Sequence, residues 1–98
     1  MPEMHYHLRW PDSSETECYS PSLVIRDHFS PGVEYPMAEF LWRIRAATAI
    51  ASARVQVKYG MPCMRALRQL AAIESTAARF AEQPDARVRM VSFRGLNQ

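Results

Sequence analysis

The stretch Tyr59-Gly60-Met61-Pro62-Cys63 lies between two long helical patterns and carries a helix stop and a helix start in succession. Gly60 can adopt the left-handed conformation that ends a helix, and Pro62 suits the first position of the next one, where a backbone N–H would have no partner. A connection this short indicates that the two helices run antiparallel. We call residues 59–63 the interhelix turn, and we expect the rest of the chain to pack around the helical hairpin that this turn closes.

The two helices are predicted for residues 37–59 and 62–82. In both segments apolar residues recur at steps of three and four, which is typical of amphipathic helices. The stripe of the first helix consists of Met37, Phe40, Leu41, Ile44, Ala47, Ala51 and Val55. The stripe of the second helix consists of Cys63, Leu67, Leu70, Ile73, Ala77 and Phe80.

A β-hairpin is predicted for residues 4–19, because Met4, Tyr6, Leu8 and Trp10 alternate with polar residues. A three-residue loop at residues 11–13 would pair Arg9 with Glu15 and Tyr6 with Cys18. A two-residue loop would instead set Leu8 against Glu15, so the three-residue loop is the better match. Such a loop favours glycine or asparagine at its last position, where this chain has Ser13.

The remaining segments complete an α+β fold. Residues 21–29 are predicted as a short helix capped by Ser20, although the apolar run Leu23 to Ile25 also fits a strand. Residues 33–36 are predicted to form an extended linker. Residues 86–93 are predicted to form a third strand that pairs with the first strand. The sequence therefore predicts one domain over residues 1–98 with the order ββαααβ, in which a small antiparallel β-sheet packs against an antiparallel two-helix hairpin plus one short helix.

The charge distribution divides the chain into two halves. Residues 1–42 hold two basic and seven acidic residues, a net charge of −5, whereas residues 43–98 hold ten basic and three acidic residues, a net charge of +7. We expect the halves to attract each other, within one molecule or between copies. The composition, 48% hydrophobic and 22% charged, is typical of a globular protein.

The expected location is the cytoplasm. The first residues show no basic segment followed by an apolar run, and no apolar stretch approaches the ~20 residues of a membrane span. Two cysteines, Cys18 and Cys63, in such a protein indicate reduced thiols rather than a disulfide.

Cys63 is the candidate for catalysis. In the first turn of a helix, near Arg65 and Arg68, its thiolate would be favoured by the helix dipole and by positive charge. The alternative is that Cys63 begins the apolar stripe and is a small core residue. No base is visible in the local sequence to activate it.

His5 and His7 are the candidates for a metal site, since they share one face of a strand, with Glu17 or His28 as a further ligand. The alternative is that both are solvated and that His7 pairs with Glu17. Basic residues are numerous, but no nucleic-acid-binding signature accompanies them, so nucleic acid is not an expected partner. No phosphate-binding glycine loop is recognisable, and no cofactor is expected.

Several segments of the chain form distinctive motifs: Met1-Pro2-Glu3-Met4, Arg9-Trp10-Pro11-Asp12, Cys18-Tyr19-Ser20-Pro21-Ser22-Leu23-Val24, Pro31-Gly32…Tyr35-Pro36…Phe40, Ala51-Ser52-Ala53-Arg54-Val55, Tyr59-Gly60 and Cys63…Arg65-Ala66-Leu67…Gln69-Leu70. Together these motifs resemble a family of small bacterial proteins named for the nitrogen-starvation response. The chain departs from the family in having Pro-Asp-Ser-Ser where Pro-Asp-Gly is usual, and Met61-Pro62 before Cys63. The resemblance implies genes beside a nitrilase, a radical-SAM protein, an acetyltransferase, an AIR-synthase-like protein and a flavin-dependent oxidoreductase, and a role in a nitrile- or cyanide-linked nitrogen pathway.

Our leading hypothesis is a non-catalytic interaction or assembly protein that binds a pathway enzyme or itself. Its binding residues would lie on the charged helix faces and in the segment at Cys18: Cys18, Tyr19, Arg43, Arg45, Arg65 and Arg68. The first alternative is a small thiol-dependent enzyme or carrier that uses Cys63. The second alternative is a small ligand-sensing regulator.

Overall fold

The structure, a computed structural model, describes residues 3–95, and these form a four-stranded antiparallel sheet with helices. The elements in chain order are β1 (Met4–Arg9), β2 (Glu15–Ser20), α1 (Ile25–His28), β3 (Val33–Pro36), α2 (Met37–Tyr59), α3 (Met64–Ala78) and β4 (Arg87–Gly95). The spatial strand order is β2-β1-β4-β3. The predicted α+β class and the ββαααβ layout are confirmed, with β3 as an additional strand between α1 and α2.

The register of the β-hairpin is the predicted one. Arg9 lies opposite Glu15 and Tyr6 opposite Cys18, across a three-residue loop. The loop is closed by backbone hydrogen bonds in which Trp10 N–H donates to Ser14 O at 2.8 Å and Ser13 N–H donates to Trp10 O at 2.9 Å. Ser13 has a φ of 72°, so a serine occupies the left-handed position that glycine would fill without strain.

Strand β4 pairs with β1, as predicted, and contains one irregularity. His7 lies opposite Ser92 but the next residue, Leu8, lies opposite Met90, so Val91 is an extra residue on β4. Such a bulge reverses the side-chain alternation. Val88 and Met90, which precede the bulge, therefore face the core, and so does Phe93, which follows the bulge.

The prediction of residues 33–36 as a linker is wrong, because they form the edge strand β3. Glu34 pairs with Arg89 and Tyr35 with Val88 of β4. The segment alternates as a strand does, with Tyr35 buried between exposed neighbours. Pro36 is compatible with this position, since proline is tolerated where a strand ends at a sheet edge.

The interhelix turn confirms one expectation and corrects another. Gly60 ends α2 with a φ of 82°, and its N–H donates to Gln56 O at 2.8 Å. However, α3 begins at Met64 rather than at Pro62, because Cys63 is extended and its carbonyl accepts the first helical hydrogen bond, from Leu67 N–H at 3.1 Å. At the other end, bonds between residues three apart replace the α-helical pattern after Ala78, so the helix ends before residue 82.

Residues 21–29 contain a helix, but a shorter one than predicted. Ser20 does not cap α1, because its Oγ accepts from Ser22 N–H at 3.3 Å, whereas the Oγ of Ser22 accepts from Val24 N–H at 3.3 Å. Ser20 instead donates to Ser22 O at 2.7 Å within a buried turn. This turn uses the residues that the prediction placed in the first helical turn, and α1 keeps only four residues.

The core lies between one face of the sheet and the inner faces of α2 and α3. The predicted inward face of β1 is confirmed, and Phe40, Ile44, Ala47 and Ala51 of α2 are buried as expected. In α3 the buried residues are Ala66, Ile73 and Ala77, while Leu67 is 38% exposed. The N-terminal part of the predicted α3 stripe is therefore displaced by one residue.

Attraction between the two halves of the chain occurs within the molecule. Arg89 Nη2 lies 3.7 Å from Glu34 Oε1, Arg79 Nη2 lies 3.4 Å from Asp12 Oδ2, and Arg94 pairs with Glu17.

Among residues 3–95, none of the helices combines the length and the hydrophobicity needed to cross a membrane.

Candidate functional site

The end of the helical hairpin exposes large apolar side chains. The exposed fractions are 63% for Tyr59, 66% for Met61, 57% for Met64 and 38% for Leu67. We call residues 58–68 the hairpin tip. Side chains of this size are normally buried, and their grouping on one exposed turn is typical of a surface that contacts another molecule.

The hairpin tip is also basic. Residues 40–73 include six arginines and lysines and no aspartate or glutamate, and Lys58, Arg65 and Arg68 belong to the tip itself. Lys58 lies over the Tyr59 ring, with its Nζ 5.5 Å from the centroid. An apolar centre with a basic border complements a partner surface that is apolar with an acidic border.

Tyr19 and Arg65, two predicted binding residues, are brought together beside Cys63. The guanidinium carbon of Arg65 lies 3.7 Å from the centre of the Tyr19 ring, a close cation–π contact. The Tyr19 hydroxyl donates to Glu3 Oε1 at 3.0 Å, and its N–H donates to Gln69 Oε1 at 3.2 Å. Burial, followed by the hydrogen bond to Glu3, raises the pKa of Tyr19 to about 12. Tyr19 therefore keeps its proton at neutral pH and anchors α3 to β2.

Cys63 lies at the N-terminal end of α3 and is partly buried, outside the core cluster. It borders a cavity of about 130 Å³ together with Glu3, Tyr19, Val55 and Tyr59, and Pro21 completes the lining. Cys63 is therefore not part of the core, because the buried face of α3 begins at Ala66 and not on the predicted stripe of Cys63 and Leu67. The predicted position in the first helical turn is also wrong by one residue.

Cys18 was predicted as a binding residue, and its burial contradicts this. Only 1% of Cys18 is exposed, and it faces Tyr6 on the core side of the sheet. Burial raises the pKa of the Cys18 thiol to about 12, and it also raises the pKa of Tyr6. In the folded protein Cys18 is a neutral core residue that a partner cannot reach, and it forms no disulfide with Cys63.

The other predicted binding residues lie apart from one another. Arg43 donates to Glu39 Oε2 at 3.0 Å and to His28 O at 2.7 Å, so it fastens α1 to α2. Arg45 donates to Glu74 Oε2 at 2.7 Å and links α2 to α3. Arg68 is exposed at the hairpin tip. Of the four arginines, only Arg65 and Arg68 belong to the same surface.

His5 and His7 lie on the outer face of the sheet, but each contacts a different glutamate. His7 Nε2 is 2.8 Å from Glu15 Oε1, and His5 Nδ1 is 3.3 Å from Glu17 Oε1 without hydrogen-bond alignment. His7 and Glu17 lie opposite each other in the register, as predicted, but the side chain of His7 contacts Glu15 diagonally across the two strands. Within residues 3–95 no three His, Cys, Asp or Glu side chains are arranged to hold a metal ion.

The glutamates of this face are held ionised by their neighbours. A hydrogen bond from Arg9 lowers the pKa of Glu15, and one from Arg94 lowers the pKa of Glu17. Arg9 Nη2 lies 2.9 Å from Glu15 Oε2. The outer sheet face is therefore a set of mutually paired, exposed charges rather than a convergent polar site.

The apolar residues of the hairpin tip were missed by sequence reasoning. The sequence pattern assigns Leu67 to the core stripe and Met61 to the interhelix turn, and it gives no role to Met64 within the predicted helix 62–82. A signal was nonetheless present, because Tyr59, Met61 and Met64 lie within six residues of one another and no acidic residue occurs from 40 to 73.

Comparison with known proteins identifies the family. No curated protein and no solved structure matches the chain. The family model described as nitrogen starvation-induced protein NitG matches residues 5–93, which include the hairpin tip and all of the described helices and strands except the first residue of β1 and the last two of β4. Because this match covers most of the chain, the protein belongs to the NitG family of nitrogen starvation-induced proteins.

Proposed function

We propose that this protein is a non-catalytic interaction or assembly protein of the nitrogen-starvation response, and that its hairpin tip binds an enzyme of a nitrile- or cyanide-linked nitrogen pathway. The observation that carries the proposal is the exposure of Tyr59, Met61 and Met64 beside three basic residues. A methionine-rich surface adapts to the shape of a partner, and the basic border favours an acidic one.

The chemistry of the remaining polar groups agrees with a non-catalytic role. On the outer face of the sheet, Glu15 contacts His7 and Arg9, and Glu17 contacts Arg94 and lies near His5. The Cys18 thiol is buried. The Tyr19 hydroxyl, with its raised pKa, is poorly suited to accept a proton at neutral pH.

Co-purification with the expected partner enzymes tests the proposal. The tagged chain is mixed in turn with the nitrilase, the radical-SAM protein, the acetyltransferase, the AIR-synthase-like protein and the flavin-dependent oxidoreductase. We expect one of them to bind, and we expect Met61→Glu combined with Met64→Glu to abolish binding without loss of thermal stability. Val33→Glu, which changes an exposed apolar residue of β3, is the matched control and should bind normally.

Charge variants test the contribution of the basic border to binding. If the basic border steers an acidic partner, Lys58→Glu with Arg68→Glu should weaken binding and reduce its dependence on salt. Wild-type protein that binds none of the five enzymes, or binding that survives the Met61 and Met64 changes, would contradict the proposal.

A second candidate function, a thiol-dependent enzyme or carrier, is favoured by one observation. Cys63 is accessible beside the cavity of about 130 Å³ that Tyr19 and Tyr59 also border. Alkylation of the folded protein over a range of pH tests it: a reactive thiol would be alkylated at its maximal rate already at neutral pH, whereas an ordinary thiol would react faster as pH rises to about 8.5 and above. The Cys63→Ser variant supplies the background rate.

A further inference from the structure

The outer face of α2 is apolar, although its large side chains are left exposed by the rest of residues 3–95. Trp42 is 67% exposed, Ile50 39% and Val57 88%, and Ala49 and Ala53 between them are exposed as well. Together with the partly buried Ala46 these residues lie at steps of three and four, on the side opposite Phe40 and Ile44. We call the set Trp42, Ala46, Ala49, Ile50, Ala53 and Val57 the outer stripe.

Three arginines of α2 lie beside the outer stripe, and each is bound by a partner within the molecule. Arg43 binds His28 O at 2.7 Å, Arg45 binds Glu74 at 2.7 Å, and Arg54 donates to Ser22 Oγ at 2.8 Å. These contacts draw the three guanidinium groups towards α1, α3 and the turn before α1. The stripe is thereby left clear of charge, which suits an apolar partner rather than an acidic one.

The spacing of the outer stripe is the same in both directions along the chain. Its positions 42, 46, 49, 50, 53 and 57 are symmetric about the midpoint between Ala49 and Ile50. When two antiparallel copies of α2 are centred there, Trp42 of one copy lies level with Val57 of the other, and Ala46 lies level with Ala53. This is the self-complementarity that a two-fold interface requires, because the same patch must serve on both subunits.

We propose that two copies of this chain associate through the outer stripes of α2, packed antiparallel about a two-fold axis between Ala49 and Ile50. The alanines allow the helix backbones to approach closely, and the larger Trp42 and Val57 fill the space at both ends of the contact. This dimer leaves the hairpin tip free, so its failure would not affect the proposed binding of a pathway enzyme.

The size of the contact sets the expected strength of the dimer. Residues 42–57 span about 24 Å of helix. The area of a strip of that length and about 10 Å width is smaller than the ~800 Å² that each subunit buries in a standard interface. We therefore expect a dimer that dissociates on dilution.

Sedimentation of the full chain over a wide range of concentration tests the dimer. The mass should double as concentration rises, and acrylamide quenching of Trp42 should fall in parallel, because its exposed ring becomes covered while the buried Trp10 stays unchanged. Ala49→Glu places two like charges at the axis and should leave a monomer at every concentration. Ala72→Glu on the exposed side of α3 is the matched control and should still dimerise.

Cross-linking tests the antiparallel arrangement. In a Cys63→Ser background, a mixture of Ala46→Cys and Ala53→Cys proteins should form a disulfide-linked pair more readily than either protein alone. A wild-type chain that stays monomeric at high concentration would overturn the proposal. So would dimerisation of the Ala49→Glu variant, or cross-linking of Ala46→Cys chiefly with itself, which indicates a parallel pair.

Discussion

Replacing Phe40 with alanine should remove a large part of the stability of the fold. Phe40 is 1% exposed, and its ring lies 5.7 Å from that of Trp10 and 5.7 Å from that of Phe29. It therefore joins α2 to the end of β1 and to the segment after α1. Truncation of a buried phenylalanine to alanine costs about 3–5 kcal/mol through lost burial and the remaining cavity. The stability of such a domain is about 5–15 kcal/mol in total.

Urea denaturation followed by tryptophan fluorescence measures this loss. Trp10 is 2% exposed and contacts Phe40, so it reports on the site directly, whereas Trp42 is 67% exposed and contributes a nearly constant background. With a urea dependence of about 1–3 kcal/mol per molar, the midpoint should fall by about 1–3 M or more. Far-ultraviolet circular dichroism should give the same midpoint if unfolding is two-state.

Two further variants serve as controls for the Phe40→Ala result. Phe40→Leu keeps apolar volume but loses the ring contacts, worth about 0.5–1.5 kcal/mol each, so its loss should be intermediate. Met61→Ala, at a 66% exposed position, should change stability by less than about 0.5 kcal/mol. If Phe40→Ala were no worse than Met61→Ala, the assignment of the inner face of α2 would be refuted.

Three smaller perturbations test the turns and the buried thiol. Ser13→Gly should raise the free energy of unfolding by up to about 1 kcal/mol, because glycine adopts the φ of 72° without strain; a loss of stability in urea melts would contradict this. Gly60→Ala should lower it by about 1–2 kcal/mol and Gly60→Asn by less, because the φ of 82° is left-handed while space for a side chain is open; equal melting temperatures of all three proteins would be inconsistent with this reasoning. Burial raises the pKa of Cys18 to about 12, so the folded state holds this proton more tightly than the unfolded chain. That contribution is complete below the unfolded pKa of ~8.5 and is lost as pH rises towards the folded value, by about 2 kcal/mol at pH 10; Cys18→Ala should lose correspondingly less stability between pH 7 and pH 10 in parallel urea melts, and identical slopes would count against the burial effect.

Much of the fold could be predicted from local patterns. The register of β1 and β2 followed from matching Arg9 with Glu15 in a three-residue loop, and the helix end at Gly60 followed from the conformational freedom of glycine. These features depend on residues close in sequence, for which turn geometry and side-chain alternation are sufficient. Strand β3 was missed because its pairing partner, β4, lies more than fifty residues away and the strand has only four residues.

The candidate site was less predictable. Cys18 and Tyr19 are neighbours in sequence, yet the Cys18 thiol is buried in the core, while the Tyr19 ring makes a cation–π contact with Arg65. The arginines of α2 and α3 looked equivalent in the sequence, but Arg43 and Arg45 are engaged by other elements and Arg68 is exposed at the tip. Which partner each arginine takes depends on how the helices lie on the sheet.

The sequence by itself determined the α+β class, the β-hairpin register, the antiparallel helix pair and the inner stripe of α2, because periodicity and turn chemistry are encoded in adjacent residues. Only the tertiary structure decided that Leu67, Met61 and Met64 are exposed and that α2 has a second apolar face, which the rest of the described chain leaves exposed. The physical reason is that a helical pattern shows which residues share a face, whereas burial depends on which face the helix turns towards the sheet and the neighbouring helix. Here α3 buries Ala66, Ile73 and Ala77, and the exposed apolar residues near its N-terminal end remain available for binding.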